Sequence, residues 1–431
     1  MSTPIRIAIL GGGLAGASLL HALQPHSHLD AHIFESASAF KESGMAIGMA
    51  SNALEALDLI GPSIAQCLQR AGAVPMRGVR CMLAQGPRAG EMFAEVDETD
   101  GRARVTSIVH RAAFLHELLA DVNPERMHVS KQLLRFEAHP DGSLTLHFTD
   151  GSMHDCDVLI GADGIRSTVR KLLLGVDDPA AEPRNTGAWC VMVLKPYAAA
   201  QASLGAGSVN IENAREYMWM GEGVWMMHNL LQQGQLVQFV VAAYEKDAEG
   251  SDRRHRPVGA DEIRRLFEGF PLHLVRAVDE TKLICDQPEQ TAMYLWDHPP
   301  ARTYVSESGS VCIMGDAAHA TTPWHAAGGG MSVEDSLILS ALLGRAQSVS
   351  DARTALKVYD QVRRPRTQRI VESSRATGQI SFGLSEEFGL DFDKLKAGLL
   401  PRWDFIVGFN NEKHREEAIK LWEKELAQVG V

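Results

Sequence analysis

The chain has 431 residues, 45% of them hydrophobic, which is enough for a large core and two domains. Its net charge of −12 argues against a nucleic-acid partner and against binding to an anionic membrane surface. Six scattered cysteines without a CxxC pair favour a reducing compartment and argue against structural zinc, and no stretch is apolar enough to cross a bilayer. We therefore expect a cytoplasmic protein, monomeric or homodimeric, without an integral membrane segment or a metal.

The first predicted elements are a strand, a turn and a helix. The apolar run at residues 7–10 predicts a strand covered on both faces, and residues 15–23 predict a helix. The glycines between them have the spacing of a dinucleotide fingerprint, which permits a tight turn and a close approach of a pyrophosphate. The phosphates would lie at the helix N-terminus, where N–H groups and the positive end of the dipole favour an anion. The candidate phosphate-binding residues are Gly11, Gly13, Leu14, Ala15 and Gly16.

A second predicted strand, residues 31–34, ends at Glu35. A carboxylate at this position accepts hydrogen bonds from both hydroxyl groups of an adenosine ribose and repels a 2′-phosphate. The site therefore favours FAD or NAD over NADP, and the fingerprint alone does not distinguish FAD from NAD.

Further along the chain, Gly48 lies in a loop rich in Gly, Ser and Met, where it lets the backbone approach a flat ligand. Arg111 stands at a predicted strand-to-helix junction, where it either contacts a phosphate or is an ordinary surface residue. Residues 127–136, 143–149 and 152–156 alternate between apolar and polar types, which predicts an antiparallel meander.

The segment DVLIGADGIRSTVR at residues 157–170 predicts a buried strand, a tight turn and a helix. Asp163 stands in that turn between two small residues. Its carboxylate can therefore approach a cofactor without steric conflict.

Residues 184–287 differ in character and predict a mixed sheet, because strand-like runs alternate there with glycine turns. Two strands predicted within 79–96 would join it in a substrate domain. Alternate side chains on one face of such a sheet would wall an apolar pocket, and the alternative for each is ordinary core packing. The pocket candidates in this region are Met192, Trp219, Trp225, Met227 and His228.

The chain returns to α/β character at a strand predicted over 311–314. A Gly-Asp step, a proline turn and the three glycines at 328–330 then lead into an apolar helix, whose N-terminus again suits negative charge. From residue 352 onward the pattern is helical, with an apolar stripe within 411–426.

Three motifs in this order resemble the single-component FAD-dependent aromatic hydroxylases of the para-hydroxybenzoate hydroxylase fold. They are GGGLAG with Glu35, DVLIGADGIRSTVR, and GDAAHATTP followed by GGG. The likeness covers nearly all of residues 1–380, and the closing PRWDFIVGFNNEKHREEA is similar to the tail of salicylate-hydroxylase-like members, including those of fungal secondary metabolism.

The resemblance implies a mixed α/β fold with three parts. A Rossmann-like FAD-binding domain would comprise residues 1–78, 100–183 and 288–350. An inserted substrate domain with a mixed β-sheet would comprise 79–99 and 184–287, and a helical C-terminal region 351–431.

The same resemblance implies roles for residues at matching motif positions. The fingerprint glycines would line the FAD pyrophosphate and Glu35 the ribose, while Gly48 would lie beside the cofactor. Arg111 would contact its phosphate or ribityl region, Asp163 would serve both FAD and NAD(P)H, and Asp316 would bind the ribityl chain. Backbone N–H groups near the ring, where reduced flavin carries negative charge, would come from Gly328, Gly329 and Gly330.

The chemistry implied by the family uses NADH or NADPH to reduce FAD and then O₂, which adds at C4a of the flavin to give a hydroperoxide. That species transfers one oxygen to an electron-rich carbon of a small hydrophobic aromatic molecule, without a metal. A flavin-dependent epoxidase or reductase on the same scaffold is one alternative, and a catalytically silent flavin-binding interaction module is another. A nicotinamide-only dehydrogenase would leave Asp163 and residues 315–330 unexplained.

The chain departs from related phenol hydroxylases at the expected substrate contacts. Those enzymes often carry a Tyr-Arg pair where this chain has Trp189-Cys190, and a Tyr-Pro step near His228-Asn229-Leu230. A neutral or differently shaped substrate is therefore expected.

After the loop proline, the usual His-Gln is replaced by Trp324-His325. Trp324 would wall the flavin ring as part of the substrate pocket. His228 and His325 are the candidate acid–base residues, against the alternative that each is a packing histidine.

Overall fold

The computed structural model describes residues 3–41, 46–97, 106–205, 207–279, 284 and 287–429. The strands in this part of the chain are β1 (Ile5–Leu10), β2 (Leu29–Phe34), β3 (Ala46–Ala50), β4 (Val74–Met76), β5 (Gly78–Leu83), β6 (Met92–Asp97), β7 (Thr106–His110), β8 (Met127–His128), β9 (Leu133–Ala138), β10 (Leu144–Phe148), β11 (Met153–Cys156), β12 (Val158–Gly161), β13 (Arg184–Pro196), β14 (Arg215–Gly221), β15 (Val224–Leu231), β16 (Leu236–Tyr244), β17 (His255–Gly259), β18 (Glu289–Asp297) and β19 (Val311–Ile313). The α-helices are α1 (Leu14–Leu23), α2 (Ser51–Ile60), α3 (Pro62–Arg70), α4 (Arg111–Leu119), α5 (Thr168–Leu174), α6 (Tyr197–Leu204), α7 (Ala260–Leu266), α8 (Leu272–Asp279), α9 (Asp316–His319), α10 (Gly328–Leu343), α11 (Val349–Ser381), α12 (Phe392–Gly398), α13 (Asp404–Val407) and α14 (Asn411–Val429).

A five-stranded parallel sheet with the order β19-β12-β1-β2-β8 forms the first layer. Its central strand β1 pairs with β2 up to Leu10 opposite Phe34, and with β12 up to Leu10 opposite Gly161. Because all five strands are parallel, their carboxyl ends meet at one edge of the sheet. The three sequence motifs follow those ends and are therefore brought together.

The core around this sheet is a large apolar cluster that also encloses buried polar groups. Helix α1 packs along α10, and α10 also contacts α2, α11 and α14. The hydroxyl groups of Ser18 and Ser336 form a buried hydrogen bond of 2.9 Å between α1 and α10. Burial of each large aliphatic side chain, such as Ile9 or Ile160, stabilises the fold by about 1.5–3 kcal/mol.

An eight-stranded mixed sheet with the order β17-β18-β13-β16-β15-β14-β5-β6 forms the second layer, which we call the large sheet. One face packs against α6, α7 and α8, and we call it the helix face. The other packs against Trp324 and the C-terminal segment, and we call it the Trp324 face. Side chains alternate between these faces along every strand.

The predicted elements recur with small shifts in their ends, and three predictions need correction. Residues 46–50, which the sequence analysis places in a loop with Gly48, form strand β3, which pairs with β7. Residues 127–136 form two strands, because Ser130 adopts a φ of +57° and turns the chain after β8, which joins the parallel sheet. The predicted boundary at residue 287 falls before β18, whose residues pair with β13 and β17, so the large sheet extends to Asp297. The division into domains stays a prediction.

The C-terminal part is helical, as predicted. Helix α11 is 33 residues long and packs against α10. Helix α14 packs on α2, α10 and α11. The indole N–H of Trp422 in α14 donates to the Asp351 carbonyl at 3.1 Å. Within the described ranges, no helix is both long and apolar enough to pass through a membrane.

Candidate functional site

The carboxyl edge of the parallel sheet carries the candidate cofactor site. Backbone hydrogen bonds continue past the strand ends, from Gly11 N to the Phe34 carbonyl at 2.8 Å and from Ala162 N to the Leu10 carbonyl at 2.7 Å. Met314 N reaches the Gly161 carbonyl at 2.9 Å in the same way. The four segments that follow β1, β2, β12 and β19 are thus held side by side by main-chain bonds.

The fingerprint glycines make contacts that no side chain would permit. Gly11 has a φ of +103°, and a Cβ atom there would lie 2.2 Å from the Ala162 carbonyl oxygen. A Cβ atom on Gly16 would lie 2.1 Å from the Gly11 carbonyl oxygen. Helix α1 then begins at Leu14, and its N-cap Gly13 provides no side-chain cap. This cradle fits the pyrophosphate of a dinucleotide at the helix N-terminus.

Glu35 is held in a fixed orientation beside that cradle. One carboxylate oxygen accepts from Gly12 N at 2.7 Å, and the other accepts from Ala37 N at 2.7 Å and from the Ser36 hydroxyl at 3.1 Å. The side chain is only half-buried. A ribose at the end of β2 can therefore reach the carboxylate, as the sequence predicts.

Asp163 forms hydrogen bonds within its own turn. Its carboxylate accepts from the Ser167 hydroxyl and from the backbone N–H groups of Thr168 and Val169. Burial raises the pKa of the carboxyl group, against these hydrogen bonds, which lower it. With both oxygens bonded at the start of α5, Asp163 holds this turn in place, and its contact with FAD and NAD(P)H stays a prediction.

The Gly315–Asp316 step brings the late motif against the early one. Gly315 has a φ of +57°, and a Cβ atom there would lie 2.6 Å from the Cβ atom of Ala15 in α1. Asp316 begins α9 and is exposed, whereas its neighbours on both sides are buried. A carboxylate so placed can accept hydrogen bonds from a polyol lying along this edge.

A second helix N-terminus faces the same region. Helix α10 begins at Gly328, and its N-cap Ala327 provides no side-chain cap. A Cβ atom on Gly329 would lie 2.2 Å from Ile47 of β3, and one on Gly48 would lie 3.5 Å from the Cβ atom of Ala326. Strand β3 and the glycine turn are therefore in close contact, and backbone N–H groups at the start of α10 suit a ring that becomes negative on reduction.

Arg111 is the first residue of α4, directly after β7. Strand β7 pairs with β3, with His110 opposite Ala46 and Ile108 opposite Gly48. The predicted strand-to-helix junction is confirmed, and it lies beside the strand that carries Gly48. The role of the guanidinium toward a cofactor stays a prediction.

A buried ion network, which sequence reasoning missed, supports the late motif. Arg363 of α11 donates to Glu334 at 2.7 Å and to Asp335 at 2.8 Å, and all three side chains are fully buried. Asp335 also accepts from Gly315 N at 3.0 Å and bonds the His319 ring at 2.6 Å. Burial opposes ionisation of both carboxyl groups, but their cationic neighbours hold both pKa values below the usual range. The sequence did carry one signal for this network, because Glu334 and Asp335 are adjacent acids inside a predicted apolar helix.

Arg170 is a second residue that sequence reasoning missed. Its fully buried guanidinium donates to the carbonyls of Ala317 and Ala318 at 3.0 and 2.6 Å, and to those of Ala180 and Pro299. Burial lowers its pKa to about 10. Arg170, the last residue of the DVLIGADGIRSTVR motif, therefore holds α9, the short helix that begins with Asp316, in position.

The Trp324 face brings together several predicted pocket residues. Met192, Trp225 and Met227 project from it toward Trp324, as do Met218 and Met220. The Trp225 and Trp324 rings are perpendicular with centroids 5.4 Å apart, and Phe382 lies 4.9 Å beyond Trp324. These side chains form an apolar, aromatic wall next to the start of α10.

His228 and Trp219 are not part of that wall, and the prediction that they share its pocket is wrong. Met227 and His228 are consecutive in β15, so the strand pleat sends them to opposite faces. His228 stacks on Tyr217 with centroids 4.9 Å apart, and Trp219 Nε1 lies 3.5 Å from its Nε2. Burial lowers the pKa of His228 to about 3. On the helix face it is a neutral packing histidine.

His325 follows Trp324 but faces the C-terminal helices. Its Nε2 atom bonds the Thr377 hydroxyl at 2.9 Å, and its ring packs on Trp403 with centroids 4.8 Å apart. Burial, with Arg402 nearby, lowers its pKa to about 3. His325 anchors the turn to α11, and this placement does not support the predicted role in proton transfer.

Comparison with known proteins agrees with this geometry. A family model described as FAD binding domain matches residues 5–374. The chain is 33% identical to 6-methylsalicylate 1-monooxygenase of Aspergillus terreus over 98% of this chain and 93% of that protein. It is 29% identical to a salicylate hydroxylase of Sarocladium schorii over 86% of this chain and 81% of that protein. The solved structure of a salicylate hydroxylase substrate complex covers 96% of this chain and 98% of its own, at 26% identity and a TM-score of 0.82.

Proposed function

Because this chain belongs to the FAD-binding-domain family and is a salicylate-hydroxylase-like FAD-dependent monooxygenase, we propose that it hydroxylates a small aromatic molecule with NADH or NADPH and O₂. The 6-methylsalicylate and salicylate named for its relatives support an aromatic substrate.

The observation that carries the proposal is the meeting of two uncapped helix N-termini at one edge of the molecule. The start of α1 belongs to the first motif and the start of α10 to the last. Gly315 lies between them, because a Cβ atom there would be 2.6 Å from Ala15 of α1 and 3.2 Å from the Ser332 hydroxyl of α10. An elongated cofactor with a phosphate at one end and a redox ring at the other suits such a pair.

We assign residues of this edge to FAD as follows. Gly11, Gly13, Leu14, Ala15 and Gly16 would hold the phosphates, and Glu35 would bind the ribose. Asp316 would accept hydrogen bonds from the ribityl hydroxyls, and Arg111 would contact the phosphate or ribityl part. Gly328, Gly329 and Gly330 would donate backbone N–H groups to the ring, and Gly48 would lie beside the cofactor. Bound FAD supplies the redox chemistry and the activation of O₂.

The remaining task of the protein is to orient the substrate and to exclude water. The Trp324 face offers apolar contact through Met192, Trp225 and Met227, and Trp324 closes the pocket from the opposite side. Exclusion of water matters because an oxygen-transferring intermediate decays in water to hydrogen peroxide.

The test has three measurements on one preparation. FAD per chain is read from the absorbance of the purified protein, and oxidation of NADH and of NADPH is followed with and without aromatic compounds. Products are then analysed by mass spectrometry. Addition of one oxygen atom to an aromatic compound supports the proposal, whereas a reduced product would indicate a reductase. NAD(P)H oxidation that no aromatic accelerates would contradict it.

We also propose a cytoplasmic location. Cys67, Cys81, Cys156, Cys190 and Cys312 are buried free thiols, as is usual for proteins kept in a reducing compartment. Fractionation of the native host cell, with the protein detected by antibody, tests this location.

A further inference from the structure

A row of three polar side chains interrupts the otherwise apolar Trp324 face. Glu216 of β14, Asn229 of β15 and Gln238 of β16 each lie two residues along their strand from a member of the apolar wall, namely Met218, Met227 and Val240. Residues two apart on a strand share a face, so the three polar groups point the same way as that wall. We call them the polar row.

The row is buried, and two of its acceptor atoms have no hydrogen-bond partner in the part of the chain that the structure describes. Relative exposures are 8% for Glu216, 2% for Asn229 and 4% for Gln238. Asn229 stands opposite Gln238 in the sheet, and its Nδ2 atom donates to Glu216 at 3.1 Å. Asn229 Oδ1 and Gln238 Oε1 accept no hydrogen bond from any described residue. A buried acceptor without a hydrogen bond lowers the free energy of unfolding by about 1–3 kcal/mol. We therefore expect these two atoms to accept hydrogen bonds from a ligand.

The row lies at the end of the large sheet that adjoins the candidate cofactor site. Gly78, at the start of β5, pairs with Arg215, the residue before Glu216. Two residues before Gly78, Met76 pairs with Thr106 of β7, and β7 pairs with β3, which carries Gly48. The polar row therefore stands between the methionines of the Trp324 face and the strands that contact the start of α10.

The charge of the row favours a neutral ligand. Glu216 forms no ion pair with any residue that the structure describes, and burial raises its pKa, while its bond to Asn229 lowers it. The two buried atoms of the row without a partner among the described residues, Asn229 Oδ1 and Gln238 Oε1, are acceptors, so they match hydrogen-bond donors. A carboxylate brings only acceptors and a negative charge, and its burial without a cation is costly.

We propose that the Glu216–Asn229–Gln238 row binds the hydroxyl groups of an uncharged aromatic substrate that carries two or more hydroxyls, and discriminates against a ring carboxylate. This inference rests on the proposed function and names its substrate class. Hydroxyl hydrogens fill the acceptors of the row, and the carbon skeleton lies against Met227, Trp225 and Trp324.

Three small probes test this directly on the FAD-loaded protein. We titrate 3,5-dihydroxytoluene, 3-methylphenol and 6-methylsalicylate and follow the flavin absorbance change on binding. The expected dissociation constant of 3,5-dihydroxytoluene is at least ten-fold lower than that of 3-methylphenol, because a second hydroxyl fills another acceptor. 6-Methylsalicylate, which equals 3-methylphenol plus a carboxylate, is expected to bind most weakly.

Variants then assign the preference to the row. Asn229→Leu and Gln238→Met remove acceptors at nearly constant volume and should bring the first two probes to within about three-fold of each other. Glu216→Gln should weaken the discrimination against 6-methylsalicylate. Tyr217→Phe, next to Glu216 but on the helix face, is the matched control and should keep the order of the wild type.

The outcomes separate the two proposals. Equal or tighter binding of 6-methylsalicylate by the wild type contradicts the role of the row, even if a variant fails to fold. An unchanged preference in Asn229→Leu and Gln238→Met would mean that water satisfies these acceptors, which also contradicts it. Failure of the proposed function is read independently, from FAD content and from NAD(P)H oxidation that no aromatic accelerates.

Discussion

The two halves of the candidate site are built from different parts of the chain. At the carboxyl edge of the parallel sheet, the closest contacts are made by backbone atoms, as between Gly11 and Ala162 or between Gly16 and Gly11. On the Trp324 face of the large sheet, they are made by side chains that the strand pleat selects, such as Met227 but not His228. A Cβ atom at Gly11 or Gly16 in the first half would overlap backbone atoms, whereas the second half changes its chemistry whenever a side chain changes.

This difference assigns the two halves different functions. A backbone-built cradle suits a cofactor whose phosphates and ring are the same in every member of a family. A side-chain-built wall on an otherwise shared fold suits a substrate that differs between members. Variants in the two halves should therefore fail in different ways.

The largest effect is expected for Gly16→Ala at the backbone-built edge. The new Cβ atom would lie 2.1 Å from the Gly11 carbonyl oxygen, so α1 must move away from the turn. We expect at least a hundred-fold loss of FAD affinity, measured by titration of the FAD-free protein. Gly259→Ala, where the described residues place no atom within 4 Å of the new Cβ, is the control and should bind FAD normally. Normal FAD binding by Gly16→Ala would remove the contrast between the halves.

The buried ion network of Arg363, Glu334 and Asp335, which supports that edge, is tested by Arg363→Met. This change leaves Glu334 and Asp335 buried without their shared cation and should lower the free energy of unfolding by about 3–5 kcal/mol, measured with urea. Arg364→Met is the neighbouring control, because Arg364 is partly exposed and pairs with Asp360 in the same helix. It should cost less than about 1 kcal/mol. Equal losses in the two variants would argue against the network.

A smaller and more selective effect is expected for Gly378→Ala on the substrate side. A Cβ atom there would lie 2.4 Å from Trp324 Nε1, so the indole must shift within the pocket. FAD content should stay normal, while KM for an aromatic substrate rises about ten-fold and more NAD(P)H is consumed per hydroxylated product. Ala376→Ser, at an exposed position of the same helix, should change neither quantity. Loss of FAD from Gly378→Ala would contradict the separation of the two halves.

On the helix face of the large sheet, a variant is expected to leave the FAD and substrate sites unchanged and to alter only the pH dependence of stability. The pKa of His228 is lowered by burial to about 3, so below about pH 6.5 the unfolded chain binds a proton that the folded chain does not. Stability therefore falls as pH decreases from about 6.5 toward 3. His228→Phe should reduce that slope between pH 4 and 6 by about 1.4 kcal/mol per pH unit, measured by urea unfolding. Trp219→Phe, which removes no titrating group, should leave the slope unchanged.

The same contrast explains what the sequence predicted. Glycine spacing and the residue after a strand are local signals, so Gly11, Glu35 and Asp316 were found where the structure brings their segments together. Which face of the large sheet a side chain occupies depends on how neighbouring strands pair, and the sequence does not show that pairing. His228 and Trp219 were therefore placed on the wrong face. The partners of Glu334 and Arg170 lie in distant segments, and no local pattern pairs them. Asp163 was found as a motif residue, but its bonds to its own turn became visible only in the structure.

The most direct test of the joined early and late motifs is FAD titration of Asp316→Asn beside the wild type. Asp316 is exposed at the start of α9, so the FAD-free variant should keep its unfolding free energy to within about 0.5 kcal/mol. We expect one FAD per chain in the wild type and a dissociation constant at least ten-fold higher in the variant. Wild-type affinity in Asp316→Asn would contradict the account, because the late motif would then lie outside the site formed by the early one.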